Sequence, residues 1–183
     1  RAVKLEIFKN PRFSWICFEW ERSSLDLPVP STAPLIIRAA QPSEKAVVLK
    51  VLLNAFSMDS SWGDISRRLQ EGIGYFVDRA FEKGDPSCIV ALHGQRIIGA
   101  SLLDTNTEAT NHLLSGPMIL HEYRNRGLGS GMLAASLAFL KDKGVSKALG
   151  VTRGNSISAR FIYTKFSSAQ SPFTLDPLQV SAR

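Results

Sequence analysis

The stretch Arg124-Asn-Arg-Gly-Leu-Gly-Ser-Gly131 lies between an apolar run, Pro117–Leu120, and an amphipathic run that begins at Met132. No other part of the chain constrains the fold as tightly. Three glycines in eight residues disfavour both a strand and the interior of a helix, so a strand must hand over to a helix here. A tight turn needs one glycine, or two. Three glycines beside two arginines imply that something negatively charged comes close to the backbone. The N-terminus of a helix leaves its first N–H groups without intrahelical partners and carries a partial positive charge. Glycines let an anion reach those amides, and Arg124 and Arg126 add charged donors. The arrangement suits a pyrophosphate.

Spacing excludes two common phosphate loops. The P-loop requires Gly-Lys-Ser/Thr, which does not follow. The GxGxxG fingerprint, started at Gly127 and Gly129, puts its third glycine on Met132. What matches is Arg-x-x-Gly-x-Gly, as Arg124, Gly127 and Gly129.

The flanking segments read as alternating strands and helices. Leu35–Ala40 predicts a strand, and Gln41–Phe56 a helix capped at Ser43, with Val48, Val51, Leu52 and Ala55 on one face. After the polar break Ser57–Gly63, helical spacing resumes at Ile65, Leu69, Ile73, Phe76, Val77 and Ala80. Ser87–Asp104 predicts two strands joined at His93-Gly94. His112–Leu120 predicts a strand broken at Gly116-Pro117, and a helix is expected from about Gly127 to Lys143. A strand over Ser146–Arg153, a short helix over Asn155–Phe166 and one or two strands in the tail complete the pattern.

At the other end, Val3–Phe8 and Ser14–Trp20 alternate around Lys9-Asn-Pro-Arg12 and predict a β-hairpin. Leu25–Pro34, with three prolines, reads as a linker, so residues 1–33 are expected as an extension of a main domain over 34–183. An isolated hairpin is marginal in water. Its apolar face (Val3, Leu5, Ile7, Ile16, Phe18, Trp20) must cover either the domain's own sheet or a second copy in a homodimer.

The ordered set of motifs resembles the GNAT superfamily of N-acetyltransferases. Arg-x-x-Gly-x-Gly after a strand and opening a helix is similar to that family's acetyl-CoA loop. Leu35–Glu44 resembles its opening strand and turn, Gly94–Leu103 its third strand, and Ala159–Phe166 its later short helix. The resemblance spans Leu35 to Phe166. It implies an α/β (α+β) fold, a mixed and bent sheet flanked by helices, and acetyl transfer from acetyl-CoA to a primary amine. It also implies that the backbone amides of Asn125, Arg126, Gly127, Leu128, Gly129 and Ser130 hold the pyrophosphate, with Arg124 as a charged donor beside them. Pro117, Met118 and Ile119 would border the pantetheine arm, though a proline there also reads as an edge-strand residue. Asn155 reads as a helix cap or a cofactor contact. By the resemblance Tyr163 faces the thiol as general acid; by its residue type alone it packs in a core.

Two departures from the family pattern fall on the acceptor side. Ser156 stands where the family has an asparagine seven residues before its tyrosine, and Ser167-Ser168 replaces a glycine-aromatic pair. For the base, Glu122 and His121 adjoin the cofactor loop, Asp59 and Asp64 lie in the expected acceptor loop and Asp104 ends a strand; Glu122 is the candidate carried forward, with a water relay as the alternative. Trp62 is a candidate wall of the acceptor pocket. The acceptor is open between a small-molecule amine, a peptide N-terminus and a lysine side chain.

A cofactor-binding module of the same fold without transfer activity is the alternative. Nucleic-acid binding ranks lower: the net charge is +6, but the basic residues are scattered rather than striped. Cys17 and Cys88 form no metal-ligand or disulfide pattern, which points to a reducing, cytoplasmic setting with no metal. No apolar run reaches the roughly 20 residues a membrane span needs.

Overall fold

The computed structural model describes residues 14–21 and 35–178. In chain order these form β1 (Trp15–Glu21), β2 (Leu35–Ala39), α1 (Lys45–Ser57), α2 (Ser66–Ala80), β3 (Cys88–His93) and β4 (Arg96–Leu102). Then follow β5 (Met118–Ile119), α3 (Leu128–Asp142), β6 (Lys147–Arg153) and β7 (Ala169–Phe173). Short 3₁₀ turns precede α1, α2 and α3, and one wide π-helical turn spans Ser158–Ile162.

The helices fall where apolar spacing puts them. Val48, Val51, Leu52 and Ala55 of α1 are buried, as are Leu69, Ile73, Phe76, Val77 and Ala80 of α2. The expected cap Ser43 lies instead inside the turn that precedes α1. Glu44 organises that turn: its carboxylate accepts from the Gln41 N–H at 2.8 Å and from the Arg38 guanidinium at 2.6 and 3.0 Å.

Two antiparallel sheets result, one ordered β2-β3-β4-β5 and the other β6-β1-β7. Strands β5 and β6 do not pair. The edge of β6 away from β1 is occupied by a loop instead. The Leu149 N–H donates to His112 Nδ1 and the Val151 N–H to Asn111 Oδ1, each at 3.0 Å. The His112 and Leu113 N–H groups donate to the Leu149 carbonyl at 2.7 and 3.2 Å. These bonds explain why the strand expected over His112–Leu120 shrinks to Met118–Ile119. Its first amides are committed to β6, Gly116 turns at φ +63°, and Pro117 has no N–H to offer. The two sheets therefore part between β5 and β6.

The largest departure concerns the N-terminal segment. The boundary expected near Pro34 would leave Ser14–Trp20 in an appendage. Instead β1 is the central strand of the second sheet, paired with β6 from Trp15↔Arg153 to Glu21↔Lys147 and with β7 from Trp15↔Phe173 to Glu19↔Ala169. Phe18 and Trp20 are buried with Leu113, Leu133, Leu137, Leu140, Ala148 and Tyr163 in the core beneath α3. The Trp20 indole donates to the Lys165 carbonyl at 2.9 Å. Val3–Phe8, the turn after it and the linker Leu25–Pro34 lie outside the described residues.

Candidate active site

The turn into α3 has the geometry its glycines suggest. Gly127, at φ +74°, is the N-cap residue, and no side chain caps the helix. A Cβ on Gly127 would meet nothing within 4 Å, so the approach to the first amides of α3 is open. Gly129 has a different reason: a Cβ there would come within 2.8 Å of Ile162 Cδ1, so its lack of side chain lets the turn at 158–162 pack onto α3.

In front of this turn lies a cleft of about 600 Å³. One wall is β5 and its approach, Pro117, Met118 and Ile119; the floor is Arg124, Asn125, Gly127, Leu128, Gly129 and Ser130. The opposite wall comes from Ile157, Ser158, Phe161, Ile162 and Lys165. Most residues expected at the cofactor thus meet around one space. Lys165, not among the residues expected at the cofactor, donates from Nζ to Ser130 Oγ at 2.7 Å and puts a second cation at the helix N-terminus. Its signal was not legible because it lies 35 residues from its partner in sequence.

Four expected residues lie elsewhere. Arg126 does not line the cleft; its guanidinium lies over the Tyr123 ring at 5.5 Å. Glu122 is exposed and pairs with Arg96 at 3.5 Å. Tyr163 is only 1% exposed, edge-on to Phe18 and Trp20 with ring centroids 5.4 Å away in both cases. Burial raises its pKa above the ordinary phenol value, and it is not among the residues lining the cleft. Asn155 does not cap the short helix. Ser156 does, accepting the Ala159 N–H at 3.1 Å and bonding Thr152 Oγ1 at 2.8 Å. Asn155 Oδ1 is buried without a hydrogen-bond partner.

Arg124 lines the cleft but also braces it, donating to the Ile119 carbonyl at 3.2 Å and the Ala55 carbonyl at 3.0 Å. Of the remaining acidic candidates, Asp104 lies 3.9 Å from Arg79. Asp64 accepts from the buried Arg153 at 2.6 and 3.0 Å, and that hydrogen bond lowers its pKa. Asp59 lines the cleft and is 7% exposed. Trp62 is buried, edge-on to Phe56 at 5.5 Å, and lines a second, smaller pocket.

Among the described residues no cluster of side chains could hold a metal ion, and no helix is long and apolar enough to cross a membrane. The cleft brings together an open helix N-terminus and two cations, an arrangement that can bind an anion.

No curated protein matches the chain in sequence. Its fold is similar to that of a GCN5-related N-acetyltransferase from Sphaerobacter thermophilus, at TM-score 0.57 and 14% identity over 87% of this chain and 49% of that one. A Drosophila protein superposes at TM-score 0.56 and 12% identity over 87% of this chain and 48% of that one. A GCN5-related N-acetyltransferase from Kribbella flavida gives 0.52 and 15% over 93% and 60%. The chain thus spans about half the length of the first two. Residues 50–166 match the sequence model of the Acetyltransferase (GNAT) family, more than half of the 183 residues, and the chain belongs to that family.

Proposed function

We propose that this protein transfers an acetyl group from acetyl-CoA to a primary amine. The observation that carries this reading is the uncapped N-terminus of α3, open to the cleft beside Arg124 and Lys165. Bound acetyl-CoA supplies an activated acetyl group as a thioester. The amides of Leu128, Gly129 and Ser130 and the Lys165 ammonium hold the pyrophosphate. The backbone of Pro117–Ile119, on the edge of β5 that β6 leaves free, receives the pantetheine amides as a strand would.

In the transfer a C–N bond forms and the C–S bond breaks. An ammonium acceptor loses one proton before its nitrogen attacks and a second afterwards; one ends on the CoA thiol and the other in solvent. With Tyr163 in the core, the thiolate takes its proton from water in the cleft.

Burial of Tyr163 also favours a second reading, a CoA-binding module without transfer. Calorimetry with CoA, followed by thiol release from acetyl-CoA with a panel of amines, separates the two. Micromolar binding with amine-dependent release supports the transferase. Binding without release supports the module, and no binding removes both.

A further inference from the structure

Between α1 and α2 lies a second pocket of about 350 Å³, near the lower end of ligand pockets, which run from about 300 to 1,000 Å³. Its apolar lining comes from Leu53, Phe56, Trp62, Leu69 and Ile73, and Ser57, Ser60, Ser66 and Gln70 add uncharged polar groups. Among the described residues Asp59 is the only charged one lining it, and Asp59 also lines the cofactor cleft. Asp59 therefore stands where the two spaces meet.

That carboxylate is half used. Oδ1 accepts from the Ser61 N–H at 3.0 Å and from the Ser61 hydroxyl at 2.7 Å, capping the turn at Ser60–Ile65. Oδ2 has no partner among the described residues. The wall behind it is rigid. Trp62 packs between Phe56 and Trp15, and Arg153 donates to the Ser61 carbonyl at 3.1 Å. The Arg153 charge is answered by Asp64, which leaves the Asp59 charge for a ligand.

We propose that Asp59 anchors the ammonium group of the acceptor and that this pocket takes its body, which makes the acceptor a primary amine on a short hydrocarbon or aryl skeleton. The inference rests on the transferase reading for the identity of the neighbouring ligand. A sugar amine fits less well, because its ring hydroxyls would face five apolar side chains and find uncharged polar groups only at Ser57, Ser60, Ser66 and Gln70. A polyamine fits poorly too, because its second ammonium meets no second carboxylate. An aryl-alkyl amine satisfies both surfaces, and its nitrogen is delivered to the edge of the cofactor cleft.

The test is direct binding, read by tryptophan fluorescence because Trp62 lines the pocket. The full chain, with and without saturating CoA, is titrated with 2-phenylethylamine, 2-phenylethanol, glucosamine and spermidine. A saturable change with 2-phenylethylamine is expected. The neutral alcohol should bind at least about tenfold more weakly, the usual scale for losing a charge-assisted hydrogen bond. Asp59→Asn keeps a good cap and should weaken the amine by a similar factor while leaving the alcohol unchanged. If that variant misfolds, the alcohol still reports the charge requirement in the native chain. Tighter binding of glucosamine or spermidine, or equal binding of amine and alcohol, overturns the proposal. No saturable response in a protein that binds CoA also overturns it and leaves the transferase reading standing. Failure to bind CoA, with the amine still bound at Asp59, removes that reading alone.

Discussion

The hydroxyl of Tyr163 lies against the α-carbon of Gly116, leaving no room there for a side chain. Gly116 also sits at φ +63°, so Gly116→Ala combines backbone strain with overpacking. Together these should cost about 2–4 kcal/mol in urea denaturation. Tyr163→Phe removes the overlapping oxygen and should restore about 1 kcal/mol in the double variant. Strict additivity of the two substitutions would show that the contact is not what sets the cost. Alone, Tyr163→Phe should reduce turnover less than about tenfold. A loss of about 10² to 10⁴-fold, the usual scale for a general acid, would return that role to the tyrosine.

Lys165→Glu places a negative charge beside Ser130 at the start of α3. Its affinity for CoA should fall more than about tenfold by calorimetry, with the gap narrowing as salt is raised. S-acetylpantetheine, which lacks the diphosphate, should bind both proteins equally. If it discriminates between them as CoA does, Lys165 is not a phosphate contact.

The turn into α3 was legible in the sequence because its parts are local. A turn, a helix start and a preceding strand lie within Pro117–Ser130, and each obeys short-range rules of conformation. What sequence reading missed depends on distant contacts. Lys165 reaches the helix from 35 residues away, and Asn111 and His112 replace a strand partner for β6 with their side chains. Tyr163 fits a family position and a core position equally well, and only the packing of Phe18 and Trp20 around it separates them. The place of β1 was not legible at all, because alternation marks a strand without naming its neighbours.

A chain starting at Leu35 should therefore fail to fold. It lacks Phe18 and Trp20, each worth about 3–5 kcal/mol as a buried aromatic, against a total stability of about 5–15 kcal/mol. Light scattering should show aggregates and near-UV circular dichroism should be flat. Supplying residues 1–34 as a separate, co-expressed segment should rescue solubility. A monodisperse, CoA-binding chain from Leu35 onward would mean that β6 and β7 manage without β1.

Stability should fall as the pH drops below about 6.5, the ordinary imidazole value. Burial lowers the pKa of His112, whose Nδ1 accepts the Leu149 N–H while Nε2 bonds the Asn106 carbonyl. The unfolded chain takes up the proton first, so His112 contributes fully above that pH. Its contribution declines as pH falls and levels off below the lowered native pKa. The slope cannot exceed about 1.4 kcal/mol per pH unit for one proton. Urea midpoints from pH 7.5 to 5 measure it, and His112→Gln should flatten the curve. Losses from Asp64 and Glu44, whose pKa values are lowered by hydrogen bonds from Arg153 and Arg38, belong to a separate window near pH 4 and below.

Putting β1 between β6 and β7 fixes the order in which the molecule can be made. Trp20 finds the Lys165 carbonyl across 145 residues, so the middle of the second sheet leaves the ribosome before both its neighbours and waits for them. The sheet of β2 to β5 and helices α1 and α2 can assemble during that wait from contacts close in sequence. Through the same interval β1, with Phe18 and Trp20, remains an unpaired and sticky strand. Biosynthesis should be most vulnerable then, and a chaperone that holds β1 would raise yield without touching the finished protein.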